Sequence, residues 1–238
     1  YNVIWLVGGL IFDCFVRGFR TDTCEFEIPK GLISRAYRAE FLRDGYELQE
    51  REMARKFIRA DDRVLEVGGC LGIVSCVANK LLRDKVRHVV VEGNPFCISA
   101  ICRNRDINHC GFLVENCAVS SERAVTFYLQ PDCILGGSVM DGGARGRNRL
   151  SARVPDRTLA ELDARYGPFS TSVTDIEGAD LDALEGAMEI LKGYRLVIIE
   201  FHEGAIGAEN VDRCREWLRH AGLRLQERAG NVEALQRN

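Results

Sequence analysis

The sequence predicts an α/β fold built on a largely parallel sheet, with an N-terminal cap in front of it. Short apolar runs alternate with segments of helical period from about residue 63 onward, which is typical of βαβ units. A glycine-rich turn at 68–72 follows the first apolar run and precedes a helix-like segment. The chain has 238 residues, enough to bury the core of one large domain.

The N-terminal part is interpreted as a cap over residues 1–55, followed by a ligand-binding domain over 56–238 with a loop insertion near 123–155. Within the cap, the segment 24–33 (CEFEIPKGLI) has a strand-like pattern. The segment 45–58 (GYELQEREMARKFI) predicts a helix with one apolar face and its charges outside.

The apolar segment at 3–12, VIWLVGGLIF, is about half the length that a membrane span requires. The charged residues Asp13 and Arg17 follow it closely. We expect a buried or domain-covering element here, with an anchor or an interface as the alternative.

The alternating elements follow in chain order. Strands are expected within 63–68, 86–95, 111–120, 171–180 and 195–204, and helices within 73–82, 96–109, 158–166, 181–193 and 211–222. The segment 124–130 alternates like a hairpin strand, while 135–149 has no period and predicts a loop. The segment 223–238 predicts two strands around a Gly-Asn turn.

Composition argues against several classes of partner. The net charge is −3 and the basic residues are interleaved with acids, so the basic footprint of a nucleic-acid-binding protein is missing. The ten cysteines include no C-x-x-C pair, which disfavours a zinc knuckle or a redox dithiol. We expect reduced thiols, a cytoplasmic protein and a small-molecule partner.

The glycine turn is the first candidate ligand site. Glu66, Gly68, Gly69 and Gly72 form a strand-turn-helix pattern in which glycines let a nucleotide-like ligand approach the main chain. The spacing is E-x-G-G-x-x-G rather than the dinucleotide G-x-G-x-x-G. Glu92 ends the next strand, where an acid can accept both hydroxyl hydrogens of a ribose; the alternative is a solvated carboxylate.

The third predicted strand ends in Asn116, Cys117 and Ala118. The Asn116 amide could contact an adenine edge while Ala118 packs against the base. A polar strand end that enters a turn explains the same residues equally well.

The fourth and fifth predicted strands end in ionisable residues. Asp175 and Glu177 project to the same side of an extended chain, and His202 leaves the next apolar strand at the same edge of the sheet. An imidazole titrates near neutral pH and is the commonest general base. The alternatives are acids that cap the following helix and a structural histidine.

These motifs together resemble the FkbM-family methyltransferases. The segments that carry the resemblance are E-V-G-G-C-L-G at 66–72, V-E-G-N-P at 91–95, A-V-S at 118–120, T-L-A-E-L at 158–162, D-I-E-G-A-D at 175–180 and I-I-E-F-H at 198–202. The resemblance covers about residue 45 to the C-terminus, and D-I-E-G together with I-E-x-H is its most specific part. The chain departs from the family pattern at Ser172-Val173-Thr174 and at Cys70.

The resemblance implies a Rossmann-like class I fold with a seven-stranded, mostly parallel sheet and a reversed last strand. It implies S-adenosylmethionine as cofactor, with the methionine part at the 66–72 loop, the ribose at Glu92 and the adenine near 115–118. Asn94, in the V-E-G-N-P motif, is counted with the cofactor-binding residues. The family acts mostly as O-methyltransferases on hydroxyls of small molecules such as sugars and polyketides.

Our hypothesis for the chemistry is that His202 removes the hydroxyl proton, while Asp175 or Glu177 orients the His202 imidazole or the acceptor hydroxyl. Glu177 as the base, or Mg²⁺ held by the two carboxylates, are the alternatives, and Mg²⁺ is possible but not predicted. An N-methyltransferase or a non-catalytic S-adenosylmethionine-binding module on the same fold is the alternative function.

The acceptor pocket is expected to be shaped by the cap and by the loop 134–150. Arg145, Arg147 and Arg149 in this loop could recognise a carboxylate or phosphate. A solvated loop is the other interpretation of these arginines.

Overall fold

The structure, a computed structural model, describes residues 3–15, 18–42, 44–120, 125–130, 133–138 and 150–237. Arg145, Arg147 and Arg149, expected near the acceptor pocket, lie outside the described residues.

The N-terminal elements pack as a layer beside the main sheet. They are helix α1 (Val3–Phe15), strands β1 (Phe19–Thr21) and β2 (Cys24–Phe26), a 3-10 helix (Tyr37–Leu42) and helix α2 (Leu48–Phe57). The predicted strand at 24–33 ends at Phe26, because Pro29 has no N–H with which to continue a ladder. The helix α2 runs beyond residue 55, across the boundary predicted between the cap and the second domain.

Helix α2 differs from its predicted pattern in one respect: two of its charged residues are buried. The Arg51 guanidinium is fully buried, and it donates to Asp22 Oδ2 at 2.6 Å and to the Asp44 carbonyl oxygen at 2.9 Å. Glu50 is buried beside Met53 and Ala54. The buried face of α2 is therefore partly ionic.

The first half of the main domain alternates strands and helices as predicted. Its elements are β3 (Val64–Val67), α3 (Ile73–Leu81), a 3-10 helix (Lys85–Arg87), β4 (His88–Val91), α4 (Ile98–Ile107), β5 (Leu113–Glu115) and β6 (Ala118–Val119). Every residue of β3 and β4 is buried, as expected for strands that are covered by helices on both faces. The predicted strand 111–120 is split, since β6 leaves the sheet and pairs with a later strand.

The middle of the chain forms a separate three-stranded antiparallel sheet. Its strands are β7 (Val125–Gln130), β8 (Cys133–Ser138) and β9 (Leu150–Val154), followed by the short β10 (Asp156–Arg157) that pairs with β6. The strand predicted at 124–130 is confirmed. The loop predicted from 135 is wrong for 135–138, which pair with β7 even though the segment has no alternating pattern.

The second half of the main domain completes the sheet. Its elements are α5 (Leu159–Tyr166), β11 (Thr171–Thr174), α6 (Asp180–Leu184), α7 (Met188–Leu191), β12 (Leu196–Glu200), α8 (Glu203–Ile206), α9 (Ala208–His220), β13 (Leu223–Ala229) and β14 (Val232–Arg237). Thr158 and Glu161 form a capping box that starts α5. The single helix predicted over 181–193 is two helices, because Gly186 adopts a left-handed φ of +75° between them.

The seven-stranded sheet has the order β13-β14-β12-β11-β3-β4-β5. The strands β12, β11, β3, β4 and β5 are mutually parallel, and β14 runs antiparallel to both of its neighbours. The mostly parallel sheet with a reversed last strand is confirmed. This order brings the carboxyl ends of β3, β4, β11 and β12 to one edge.

The interior is apolar and holds cysteine thiols. None of the nine cysteines whose side chains are described forms a disulfide, and Cys76 and Cys214 are fully buried. None of the described helices has the length and apolar character needed to cross a membrane.

Candidate functional site

Four strand ends converge at one edge of the sheet. The register pairs Val67 with Val91 and with Thr174, and Thr174 with Ile199. The residues that follow these positions therefore leave the sheet side by side, which is where ligands bind in open parallel sheets.

The glycine turn between β3 and α3 lies against the β11 strand end. Gly68 has a φ of +97°, and a Cβ at this position would come within 1.7 Å of the Asp175 carbonyl oxygen. The N–H groups of Gly68 and Gly69 donate to the Val91 carbonyl oxygen at 2.9 and 3.2 Å. Gly72 is the residue from which α3 starts. Only glycine at Gly68 allows the turn to sit this close to Asp175.

Glu92, the residue just after β4, is hydrogen-bonded to the same turn. Its Oε2 accepts from the Cys70 N–H at 2.7 Å and its Oε1 accepts from the Asn94 N–H at 2.6 Å. The side chain is nearly buried, and this burial raises the pKa of the Glu92 carboxyl. The structure thus brings Glu92 and Asn94 to the glycine turn.

Asn116 lies beside Glu92, and Ala118 follows it in β6. The Asn116 amide nitrogen donates to the Glu92 carbonyl oxygen at 2.7 Å, so its own carbonyl oxygen is the atom that could accept from an adenine amino group. Ala118 is buried, and its N–H donates to the Pro155 carbonyl oxygen at 2.9 Å.

Glu66 is the one predicted cofactor residue that the structure does not bring to this edge. Its carboxylate is buried inside the domain, where Ser75 Oγ donates to Oε1 at 2.5 Å and His88 Nε2 lies 3.1 Å from Oε2. The side chain points from β3 into the layer between the sheet and α3. Both carboxylate oxygens of Glu66 already contact protein groups. Glu66 can therefore stabilise the glycine turn from inside the domain.

The three predicted catalytic residues meet at the ends of β11 and β12. His202 Nε2 lies 3.6 Å from Asp175 Oδ1 and 3.5 Å from Glu177 Oε2. Glu177 has a left-handed φ of +50°, and Gly178 follows it with a φ of +92°. This turn directs the chain from β11 to α6 and places both carboxylates near the same ring nitrogen of His202.

Three further acids belong to this edge and were not among the predicted site residues: Glu50, Asp180 and Glu200. Glu200 Oε2 lies 4.0 Å from His202 Nε2. The helix α2 packs against β12, and Glu200 is one of the groups that raise the pKa of Glu50. Asp180 is fully buried, and neither of its carboxylate oxygens has a hydrogen-bond partner among the described residues. The sequence held one indication of Glu50, since this acid falls on the apolar face of α2 with Met53 and Phe57.

The pKa values of several acids at this edge are raised. Burial, reinforced by the negative charges of Glu200 and Glu177, raises the pKa of Asp175 well above its usual range. Burial likewise raises the pKa of Asp180 to about 6 and that of Glu50 to about 7. At neutral pH this edge therefore holds protons as well as negative charge, as is common where acid-base chemistry takes place.

One set of donors at this edge has the composition of a metal site. Single ligand atoms of Asp175, Glu200 and His202 all lie within 4.8 Å of one another. Carboxylate oxygens with an imidazole nitrogen can bind a divalent cation. The raised pKa values of Asp175 and Glu200 favour protonated carboxyls. Protons would then reduce the negative charge of this cluster in place of a metal ion.

Comparison with known proteins decides the family. The family profile described as "Methyltransferase FkbM domain" matches residues 66–225, which span the glycine turn, both carboxylate strand ends and His202. The chain belongs to the FkbM methyltransferase family. As an FkbM methyltransferase it is an enzyme that depends on S-adenosylmethionine, as the resemblance implied. Among curated proteins, no match was found.

Solved structures agree with the fold of this FkbM methyltransferase. The precorrin-6y C5,15-methyltransferase of Geobacter metallireducens GS-15 is 11% identical, with a TM-score of 0.52 over 90% of this chain and 94% of that one. The ribosomal protein L11 methylase of Lactobacillus delbrueckii subsp. bulgaricus is 15% identical, with a TM-score of 0.48 over 82% and 81%. The tRNA (uracil-54, C5)-methyltransferase of Pyrococcus abyssi, in complex with S-adenosyl-L-homocysteine, is 14% identical, with a TM-score of 0.47 over 91% and 42%. The first of these supports the Rossmann-like fold class and nothing finer.

Proposed function

We propose that this FkbM methyltransferase transfers the methyl group of S-adenosylmethionine to a hydroxyl of a small molecule such as a sugar or a polyketide. The observation that carries the proposal is the position of His202 between Asp175 and Glu177, at the sheet edge that also carries the glycine turn. A proton acceptor beside a cofactor loop is what O-methylation requires. The acidic net charge favours a small molecule over a nucleic acid.

The proposed cofactor site consists of the turn at Gly68, Gly69 and Gly72 with Glu92, Asn94, Asn116 and Ala118. The chemistry of Glu92 fits the cofactor's ribose, because each carboxylate oxygen accepts one backbone N–H and retains capacity for a second donor. Glu66 is assigned a supporting role beneath the turn, through its bonds to Ser75 and His88.

The cofactor supplies a methyl group activated by a positively charged sulfur, so the protein's tasks are alignment and proton removal. An alcohol is a weak nucleophile at neutral pH, and a positioned base typically accelerates such a step by about 10²–10⁴-fold. His202 Nε2 takes the hydroxyl proton in our proposal. Asp175 and Glu177 hold the ring and stabilise the imidazolium that forms. Asp175 Oδ1 and Glu177 Oε2 lie 3.6 and 3.5 Å from Nε2, beyond hydrogen-bond distance, so they act through their charge and leave the lone pair of Nε2 to the acceptor hydroxyl.

The acceptor pocket is proposed to lie between this edge and the N-terminal cap, residues 1–55. Support comes from α2, which places Glu50 against Glu200. The cap would then supply part of the wall that faces the methyl group, with residues 56–238 providing the cofactor site. The lack of disulfides among the nine described cysteines favours a reducing compartment, and we place the enzyme in the cytoplasm.

The proposal is tested with radiolabelled S-adenosylmethionine and a panel of sugar and polyketide alcohols, each paired with its amine analogue. Labelled methyl is expected on the alcohol, and His202→Ala is expected to lower turnover about 10²-fold or more while binding S-adenosylhomocysteine as tightly as the unmodified protein. Unchanged turnover with unchanged affinity would remove His202 from this role. Transfer to the amines alone would make the protein an N-methyltransferase, and binding without transfer to either set would favour a non-catalytic module.

A further inference from the structure

Helix α1 packs on the body of the protein through its small residues. Gly9 is buried, and a Cβ there would come within 1.7 Å of the Arg35 carbonyl oxygen. A Cβ at Gly8 would lie 2.8 Å from the Cβ of Ala39. Phe12 is the large side chain on this face; it is 2% exposed and its ring centroid lies 6.0 Å from that of Phe41. The close glycine contacts fix which face of α1 points inward.

The opposite face of α1 exposes a continuous apolar stripe. Leu6, Val7, Leu10 and Ile11 are each 46–50% exposed, and their spacing places them on one side of the helix over two turns. They account for four of the ten large hydrophobic side chains that are exposed among the described residues. Scattered exposed hydrophobics are ordinary, whereas a contiguous patch marks an interaction surface. The inner face of α1 fits the expected buried or domain-covering element, and the exposed stripe fits the alternative of an anchor or an interface.

The border of this apolar stripe is positively charged. Lys30, Arg35 and Arg38 all form ion pairs with one carboxylate, that of Asp13 near the end of α1. Arg38 is buried, so the exposed cations of this cluster are Lys30 and Arg35, which share one carboxylate, that of Asp13. Lys30 and Arg35 are more than half exposed. The stripe therefore complements a surface that is apolar inside and negatively charged outside.

A bilayer interface with anionic headgroups has that composition. A second copy of this chain fits less well, because it would bring its own excess of positive charge to the same border. The 13 residues of α1 extend about 20 Å, shorter than the ~30 Å apolar core of a bilayer. An orientation in the plane of the interface matches both the length of the helix and its two-sided character.

We propose that α1 binds the surface of an anionic membrane. Leu6, Val7, Leu10 and Ile11 enter the boundary between headgroups and acyl chains, and Lys30 and Arg35 contact lipid phosphates. The attachment is peripheral and reversible. It is independent of the acceptor assigned to the active site.

The test is sedimentation of the full chain with vesicles of phosphatidylcholine alone and of phosphatidylcholine mixed with phosphatidylglycerol. Binding to the mixed vesicles is expected to be at least about tenfold tighter and to weaken as salt is added. Leu10→Glu combined with Ile11→Glu is expected to abolish it. The matched control is Leu225→Glu, an equally exposed leucine on β13, which should bind as the unmodified chain does.

A second measurement does not depend on the folding of the double variant. In a Trp217→Phe protein, Trp5 on α1 is the sole remaining tryptophan, and brominated lipids should quench its fluorescence in mixed vesicles. Failure of the unmodified chain to bind mixed vesicles would overturn the proposal. A second outcome would also overturn it: the chain self-associates in sedimentation velocity, does not bind vesicles, and loses the self-association when Leu10→Glu is combined with Ile11→Glu. The stripe would then be a contact between copies of the chain.

Discussion

At the scale of single residues, Glu92 carries the sharpest prediction about the cofactor. Its two carboxylate oxygens accept hydrogen bonds from the N–H groups of Cys70 and Asn94. In our proposal they also accept hydrogen bonds from the ribose hydroxyls. Glu92→Ala removes all of these hydrogen bonds, so the affinity for S-adenosylmethionine in calorimetry should fall at least about tenfold.

Glu92→Gln separates the two roles of this carboxylate. A glutamine retains one carbonyl acceptor for the turn but can accept from the ribose less well, so an intermediate loss is expected. Full affinity in both variants, with unfolding temperatures equal to that of the unmodified protein, would contradict the assignment of Glu92 to the ribose.

Gly68 gives a prediction about backbone geometry. With a φ of +97° and the Asp175 carbonyl oxygen in the space of a Cβ, Gly68→Ala must displace either the turn or the β11 strand end. A loss of about 3 kcal/mol or more in unfolding free energy is expected in urea denaturation, accompanied by loss of turnover.

Gly186→Ala is the matched control for that change. Gly186 also has a positive φ, of +75°, but nothing lies within 4 Å of the position of its Cβ. Only the left-handed strain should remain there, at roughly 1 kcal/mol. Equal losses in the two variants would mean that the contact with Asp175 does not matter.

At the scale of elements, α2 delivers a titratable group to the active-site edge. Burial, with a contribution from the neighbouring Glu200, raises the pKa of Glu50 from 4.5 to about 7. Because the folded-state pKa lies above the unfolded one, the folded protein binds more protons between these two values. The free energy of unfolding should therefore fall as the pH rises through this window.

Glu50→Gln removes that contribution. In urea denaturation, the variant should gain on the order of 1–2 kcal/mol relative to the unmodified protein between about pH 5 and about pH 8. Glu52, exposed on the same helix, provides the control, and Glu52→Gln should leave the pH profile unchanged. Parallel profiles for the unmodified protein and Glu50→Gln would show that the Glu50 carboxyl does not titrate in this range.

The N-terminal elements are also connected to the glycine turn by a row of aromatic rings. The ring centroids of Phe12 and Phe41 are 6.0 Å apart, those of Phe41 and Tyr46 are 4.6 Å apart, and the Tyr46 hydroxyl lies 3.1 Å from Cys70 Sγ. Cys70 in turn donates its N–H to Glu92. A continuous series of contacts therefore joins α1 to the proposed cofactor site.

At the scale of the whole molecule, the parts that could be predicted are those specified by local pattern. The buried strands β3, β4 and β12 are mostly apolar. Glu92 follows β4, Asp175 follows β11 and His202 follows β12, all at the same edge of the sheet. The sequence pattern did not indicate the break at Gly186, because a glycine within an amphipathic period is compatible with a continuous helix.

Glu50 falls on the apolar face of α2 in the sequence pattern, but the group that it neighbours could not be predicted from that pattern. It lies 150 positions before Glu200 along the chain, and only the packing of α2 against the sheet brings the two carboxyls together. Glu66 stays a prediction: its position in the motif suggested a ligand contact, and the structure places its carboxylate against Ser75 and His88.

The same cluster of acids decides whether the molecule needs a divalent cation. Asp175, Glu200 and His202 could hold one, but burial and like-charge contacts raise the pKa values of Asp175, Glu200 and Glu50. These shifts favour the protonated acids, which lowers the negative charge that would attract a cation and leaves His202 Nε2 available as a base. We therefore expect turnover to be unchanged after exhaustive dialysis against EDTA. Activity that is lost on dialysis and restored by added Mg²⁺ or Mn²⁺ would make His202 a metal ligand and transfer the role of base to Glu177, which lies 3.5 Å from the same nitrogen.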